Sequence, residues 1–219
     1  MKTDQMNKGR ILTLAGMAVM TAATLIKAFT ASSLAAGVLI ISGLAFFFIV
    51  ETAEKTPDAE SGLSFKRFFT DLKKPGVIPL ILLCIALWPV EFFLQKTAFG
   101  GAFMEHVFSR LPDMGDGYVT LLAMQAVIVL GEEIGFRGFF LGKGMKIFPF
   151  WPTVLVSAVL FAAAHITAGP AAIVICDVGM IFIDAILFAL IFRKSGNCLV
   201  CWIPHFVNNI ITLLLIPLL

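Results

Sequence analysis

Polar residues are thin along this chain, and apolar ones gather into seven runs, at about 11–28, 32–50, 75–95, 118–141, 152–168, 171–192 and 198–218. A helix needs about 20 apolar residues to cross the hydrocarbon core of a bilayer. The second run is weak at its start but ends in Ala45-Phe46-Phe47-Phe48-Ile49-Val50. The fifth is short, and Gly169-Pro170 forces a tight turn into the sixth. The pattern predicts an all-α, polytopic transmembrane bundle of about seven spans.

Composition sharpens this picture. Of 219 residues, 59% are apolar and 14% charged, and the mean hydropathy is +0.98. A soluble domain is nearer half apolar and a quarter charged, so there is no room for a sizeable soluble domain. The net charge of +2 carries little information, because in membrane proteins the placement of charge matters more than its sum. Basic residues are scattered over short loops and form no stripe, which excludes a nucleic-acid partner. Cys84, Cys176, Cys198 and Cys201 all fall in or beside apolar runs. Cys198 and Cys201 are spaced as a C-x-x-C, but no second pair completes a zinc site, so the cysteines read as packing residues. The run Ile11–Ile26, after Lys2, Lys8 and Arg10, is long for a secretory signal and reads as a retained first helix.

Charge placement sets an orientation. With the N-terminus inside, Lys2, Lys8, Arg10, Lys55, Lys66, Arg67, Lys73, Lys74, Lys143, Lys146, Arg193 and Lys194 all fall inside, against Lys27, Lys96 and Arg110 outside. The odd number of helices then puts the C-terminus outside. Two loops are long. Residues 51–74 include Phe65-Lys66-Arg67-Phe68-Phe69, an aromatic-basic stretch suited to the inner headgroup layer. Residues 96–117 carry Phe99, Phe103, Val107, Phe108 and Leu111 among polar residues and glycines, a candidate amphipathic or re-entrant piece on the outer face. Residues 1–117 hold the N-terminal helices and loops and carry no motif. Residues 118–219 hold the polar clusters, and the whole reads as one membrane domain. No internal repeat is visible, which counts against an inverted-repeat transporter.

Three polar clusters interrupt the later runs. The first is Gly131-Glu132-Glu133-Ile134-Gly135-Phe136-Arg137-Gly138. Two carboxylates and an arginine are expensive in lipid, at about 2.5–3.5 kcal/mol each at a helix centre. Glu133 and Arg137 are i,i+4 and face the same way, while Glu132 points about 100° away. One carboxylate can be held by the arginine while the other is free for chemistry. The second cluster is Phe161-Ala162-Ala163-Ala164-His165, whose alanines leave room for a cavity beside the histidine. The third is Pro204-His205-Phe206-Val207-Asn208-Asn209, in which His205 and Asn209 share a face and Asn208 points elsewhere. Helical rise puts Glu133, His205 and Asn209 roughly 10–16 Å from the inner ends of their helices, and His165 deeper. They are expected to converge in one cavity inside the membrane, closer to the cytosol. Glu91, Asp177 and Asp184 can line that cavity or cap a neighbour.

Two carboxylates, two histidines and an amide suffice to hydrolyse a carbonyl compound. A glutamate or histidine takes a proton from water, and Asn209 or a histidine donates to the oxyanion. With a divalent metal, zinc foremost, Glu133, His165 and His205 make an acceptable ligand set and the other glutamate becomes the base. The helical signature H-E-x-x-H is absent, and a metal-free mechanism stays open.

These clusters, in this order, resemble the CPBP family of intramembrane proteases, also called the CAAX protease and bacteriocin-processing or Abi family. Its E-E-x-x-x-R motif matches Glu132, Glu133 and Arg137, its F-x-x-x-H motif Phe161 and His165, and its histidine motif His205 and Asn209. The resemblance covers residues 118–210. It implies a helical endopeptidase with a cavity open to the cytosol and a membrane-associated peptide or protein as substrate. It implies that Glu132 or Glu133 activates water with help from His165, that His205 and Asn209 stabilise the oxyanion, and that Arg137 and Phe161 support them. The family is described both as metalloproteases and as metal-free glutamate enzymes. The short chain looks like a bacterial, multi-pass protein of the cytoplasmic membrane, for which a prenylated substrate is not expected. The sequence fixes no oligomeric state. The competing readings are a non-proteolytic scaffold or bacteriocin-immunity protein that binds a peptide in the same cavity, and a proton- or metal-coupled carrier.

Overall fold

A computed structural model describes residues 2–30, 32–58, 60–109 and 117–215. Among these the chain is helical, with no strand: α1 Lys2–Thr30, α2 Ser33–Glu54, α3 Phe68–Leu72, α4 Val77–Phe99, α5 Gly101–Phe108, α6 Gly117–Glu133, a π-helical segment Ile134–Leu141, α7 Gly142–Gly144, α8 Phe150–Ala164, α9 Ala171–Ser195 and α10 Cys198–Leu215. Each of the seven apolar runs forms a helix. Among the described residues five stretches are long and apolar enough to cross a membrane: Gln5–Thr30, Leu34–Glu54, Val77–Phe99, Val119–Gly144 and Ala171–Ser195. Among the described residues Phe150–Ala164 and Cys198–Leu213 are shorter, so the expected count of seven full spans is not confirmed. The reason is visible in α8. It starts after Pro149 and stops before Gly169-Pro170, leaving 15 residues, or about 22 Å of helix against about 30 Å of hydrocarbon.

Helix ends follow local chemistry. The Ser32 hydroxyl caps α2 at the Ala35 N–H, filling one of the donors that a helix start leaves open. Gly196, at φ 69°, closes α9 in the left-handed conformation, which glycine adopts without a steric penalty. This lets α10 begin two residues later. Arg193 and Lys194 fall in the last turn of α9, where cations favour the helix dipole.

The loops 55–76, 145–149 and 196–197 meet at one end of the bundle, the end with most of the cations. Asn197 donates to the Ser64 carbonyl and to Asp71, and the Cys198 N–H donates to the Gly62 carbonyl. Lys74 bonds the Ser195 carbonyl and pairs with Asp71. Lys143, itself buried, pairs with Glu51 and Glu54. These contacts fold the long loop under the bundle. Phe65 and Phe69 stay exposed beside Lys66 and Arg67, the arrangement that suits a headgroup layer.

At the other end, Lys27 at the close of α1 reaches the Ile166 carbonyl in the α8–α9 turn. The 96–117 stretch is helical as far as it is described. α4 continues to Phe99, and α5 folds back so that Phe103 and Val107 pack with Phe92 and Ile173. Arg110, Leu111 and Gly115, like the end of the last apolar run beyond Leu215, lie outside the described residues.

Candidate active site

The acidic cluster sits where α6 changes its winding. Over Ile134–Leu141 the hydrogen bonds take the wider π pattern, and all eight residues are buried. Such segments are rare and concentrate at functional sites. Close packing accompanies this one. A methyl on Gly43 of α2 would lie 2.7 Å from the Gly135 Cα, and one on Gly138 would lie 2.8 Å from the Cys198 sulfur. The wide turn also sends Phe136, Phe139 and Phe140 into the core together.

Within this frame the two glutamates separate. Glu133 is fully buried, and its Oε1 accepts from Arg137 at 3.0 Å and from His205 Nδ1 at 2.7 Å. The i,i+4 pairing expected from the sequence is present. Arg137 lies under Phe161, 4.2 Å from the ring centroid, and 5.1 Å from that of Phe188, so aromatic faces supply part of its compensation. Glu132 keeps 17% of its side chain exposed, lines a cavity, and has its Oε2 3.6 Å from His205 Nε2.

His205 thus stands between the carboxylates, with Nδ1 on Glu133 and Nε2 facing Glu132. Its ring stacks on Phe188, with centroids 5.0 Å apart, and meets the edge of Phe161. His165 does not lie inside a span as expected. It caps the C-terminal end of α8 and lines the same cavity. Its Nδ1 is 2.8 Å from the Phe161 carbonyl, and a carbonyl only accepts, so Nδ1 carries the proton. Phe161 touches Arg137, His165 and His205 at once. Asn209 shares the His205 face, lines the cavity, and donates to Gln125 at 3.1 Å. Asn208 points away and is buried. The backbone carbonyl of Asn208 takes the Trp88 indole N–H, and the Trp202 indole bonds the Ala126 carbonyl. Together they brace α10 between α4 and α6.

The cavity holds about 300 Å³. All of Glu91, Asp177 and Asp184 line it, with Gln95, Gln125 and Trp88, which the sequence reading did not single out. Nor did it single out His106, buried on α5 and 3.2 Å from Asp177. The signal was the burial-prone face made by Phe103 and Val107 next to it. The position of the cavity corrects one expectation. From Glu132 and His205 it runs toward Gln95, Val107 and Leu213, at the end with α5 and the α8–α9 turn. Toward the basic loops the space is filled by Phe47, Phe139, Phe140, Ile191 and Cys198. The cavity therefore extends away from the basic end, and the expected cytosolic opening does not fit an orientation set by those cations.

Among the described residues, no three His, Cys, Asp or Glu side chains are placed to hold one metal ion. The set Glu133, His165 and His205 does not fit as arranged. Arg137 and His205 share Glu133 Oε1, so that oxygen is already taken.

Residues 115–211 match the model of a family described as type II CAAX prenyl endopeptidase, Rce1-like. Searches of curated proteins and of solved structures give no match. The matched stretch runs from α6 to α10 and contains every residue of the glutamate, histidine and asparagine constellation. Over residues 115–211 the chain is thus similar to the Rce1-like type II CAAX prenyl endopeptidases, the kind of membrane protease that its motifs resemble.

Proposed function

We propose that this multi-pass membrane protein is an endopeptidase in which Glu132 is the general base, hydrolysing a peptide bond of a membrane-associated peptide or protein. The observation that carries this is the division of labour between adjacent carboxylates. Glu133 is fully buried, with its Oε1 held by both Arg137 and His205, while Glu132 faces the cavity. A base must reach the proton it removes, and Glu132 meets that condition.

In this reading a water held by Glu132 and His165 loses a proton to Glu132 as its oxygen attacks the scissile carbonyl carbon. Asn209, whose amide has a second N–H beyond the one given to Gln125, donates to the developing oxyanion. His205, held in orientation by Nδ1 on Glu133, supports the same charge by donating from Nε2 in its doubly protonated form. Collapse breaks the C–N bond, and the proton on Glu132 passes to the leaving amine. The water oxygen stays in the new carboxyl group. Arg137 pairs with the same Glu133 oxygen that holds His205, and so keeps both in place. No step passes through a metal.

The test is cleavage of quenched lipidated and unlipidated peptides by protein purified in detergent, with and without chelator. The expected result is cleavage that survives the chelator and is lost in His165→Ala. Chelator-sensitive cleavage would overturn the metal-free step. No cleavage, with a bound peptide partner recovered equally from wild type and the Glu132→Ala variant, would overturn the enzyme reading in favour of a scaffold.

A further inference from the structure

The mechanism above leaves part of the cavity unused. Glu91 enters it from α4 and Asp184 from α9, two helices that pack together. Glu91 is 7% exposed, and its Oε2 has no hydrogen-bond partner among the described residues; nor does Asp184 Oδ1. The cavity lining carries four carboxyl groups, with Glu132 and Asp177 the other two, and among the described residues no lysine or arginine. Asp177 is already met by His106. Buried carboxyl oxygens are normally answered by hydrogen bonds, and among the described residues Glu91 Oε2 and Asp184 Oδ1 receive none.

Apolar surface lies next to them. Trp88, held by its indole N–H on the Asn208 carbonyl, and Ile181 line the same space. A lysine or arginine side chain has this two-part character, an apolar stem with a charged head, and its several N–H donors match paired carboxylates. We propose that Glu91 and Asp184 form a subsite for a cationic side chain of the substrate peptide, so that a lysine or arginine close to the scissile bond is what the cavity selects. This deepens the endopeptidase reading and rests on it for the word substrate, but the binding it predicts is measurable without cleavage.

The probe is a set of fluorescent, membrane-associated peptides with one lysine walked along an otherwise neutral sequence, plus the parent with norleucine throughout. Binding is measured in detergent to the Glu132→Gln chain, checked for folding by thermal unfolding, and to wild type. At one lysine position the affinity is expected to rise at least tenfold over the norleucine parent. The double variant Glu91→Gln, Asp184→Asn should lose that preference and keep its affinity for the parent. Equal affinity at every lysine position, or a preference that survives the double variant, would overturn the subsite. Wild type that prefers the lysine peptide yet leaves it uncut would instead sink the endopeptidase reading and keep the subsite.

Discussion

Among single residues, Arg137 shows most clearly how the site is held. Its guanidinium has one buried carboxylate partner, Glu133, and two aromatic faces. Removing one member of a buried pair leaves the other charged and unanswered, at a cost of about 3–5 kcal/mol. Arg137→Ala is therefore expected to lower the melting temperature in detergent as well as activity, and an unchanged melting temperature would show that it is not the structural partner. Asn209 should behave differently. It is partly exposed to the cavity and bonds only Gln125 among the described hydrogen bonds. Asn209→Ala is expected to keep its stability while kcat falls by about 10²–10³, the usual loss of an oxyanion donor. A full kcat would remove Asn209 from the mechanism.

Among elements, the π segment decides whether the site forms. Gly43 and Gly135 let α2 approach it closely, and a Cβ at Gly43 would meet backbone, which has nowhere to move. Overpacking of this kind costs about 1–3 kcal/mol, so Gly43→Ala should destabilise the protein in thermal unfolding. Gly37 lies on the same helix with nothing within 4 Å of its Cβ position. Gly37→Ala should be neutral, or stabilising by up to about 1 kcal/mol through helix propensity. Equal effects at the two positions would contradict the close approach. This element also marks the boundary of what the sequence makes legible. The Glu133–Arg137 pair and the shared face of His205 and Asn209 follow from i,i+4 spacing alone, and both are present. The π winding does not follow from spacing, because it goes with how Gly43 and Cys198 pack against it from distant parts of the chain. For the same reason Trp88, Gln125 and His106 were missed, since their roles exist only once α4, α5, α6 and α10 are assembled. The short α8 was half legible, since Gly169-Pro170 marked its end but not the place of His165 at its cap.

Across the whole molecule, the basic loops and the cavity occupy opposite ends. With the cations in the cytosol, the cavity is reached from the outer side. Thr212 lines the cavity, and Thr212→Cys, in a background with Cys176→Ser to remove the exposed native thiol while the other three cysteines stay buried, should then react with a membrane-impermeant thiol reagent added to intact cells. Reaction only after the inner face is opened would reverse the orientation. The fold serves this layout by building a dense aromatic floor beneath Glu133 and leaving Glu132 in the space above it. The central claim is that these adjacent carboxylates have different tasks, and comparing Glu132→Gln with Glu133→Gln tests it most directly, by cleavage rate and thermal unfolding on the same preparations. The account predicts that Glu132→Gln melts like wild type and loses about 10²–10⁴ in rate, the contribution of a general base, while Glu133→Gln melts early because Arg137 and His205 lose their shared charge. A Glu132→Gln chain that cleaves at the wild-type rate, or a Glu133→Gln chain that is fully stable and inactive, would contradict it.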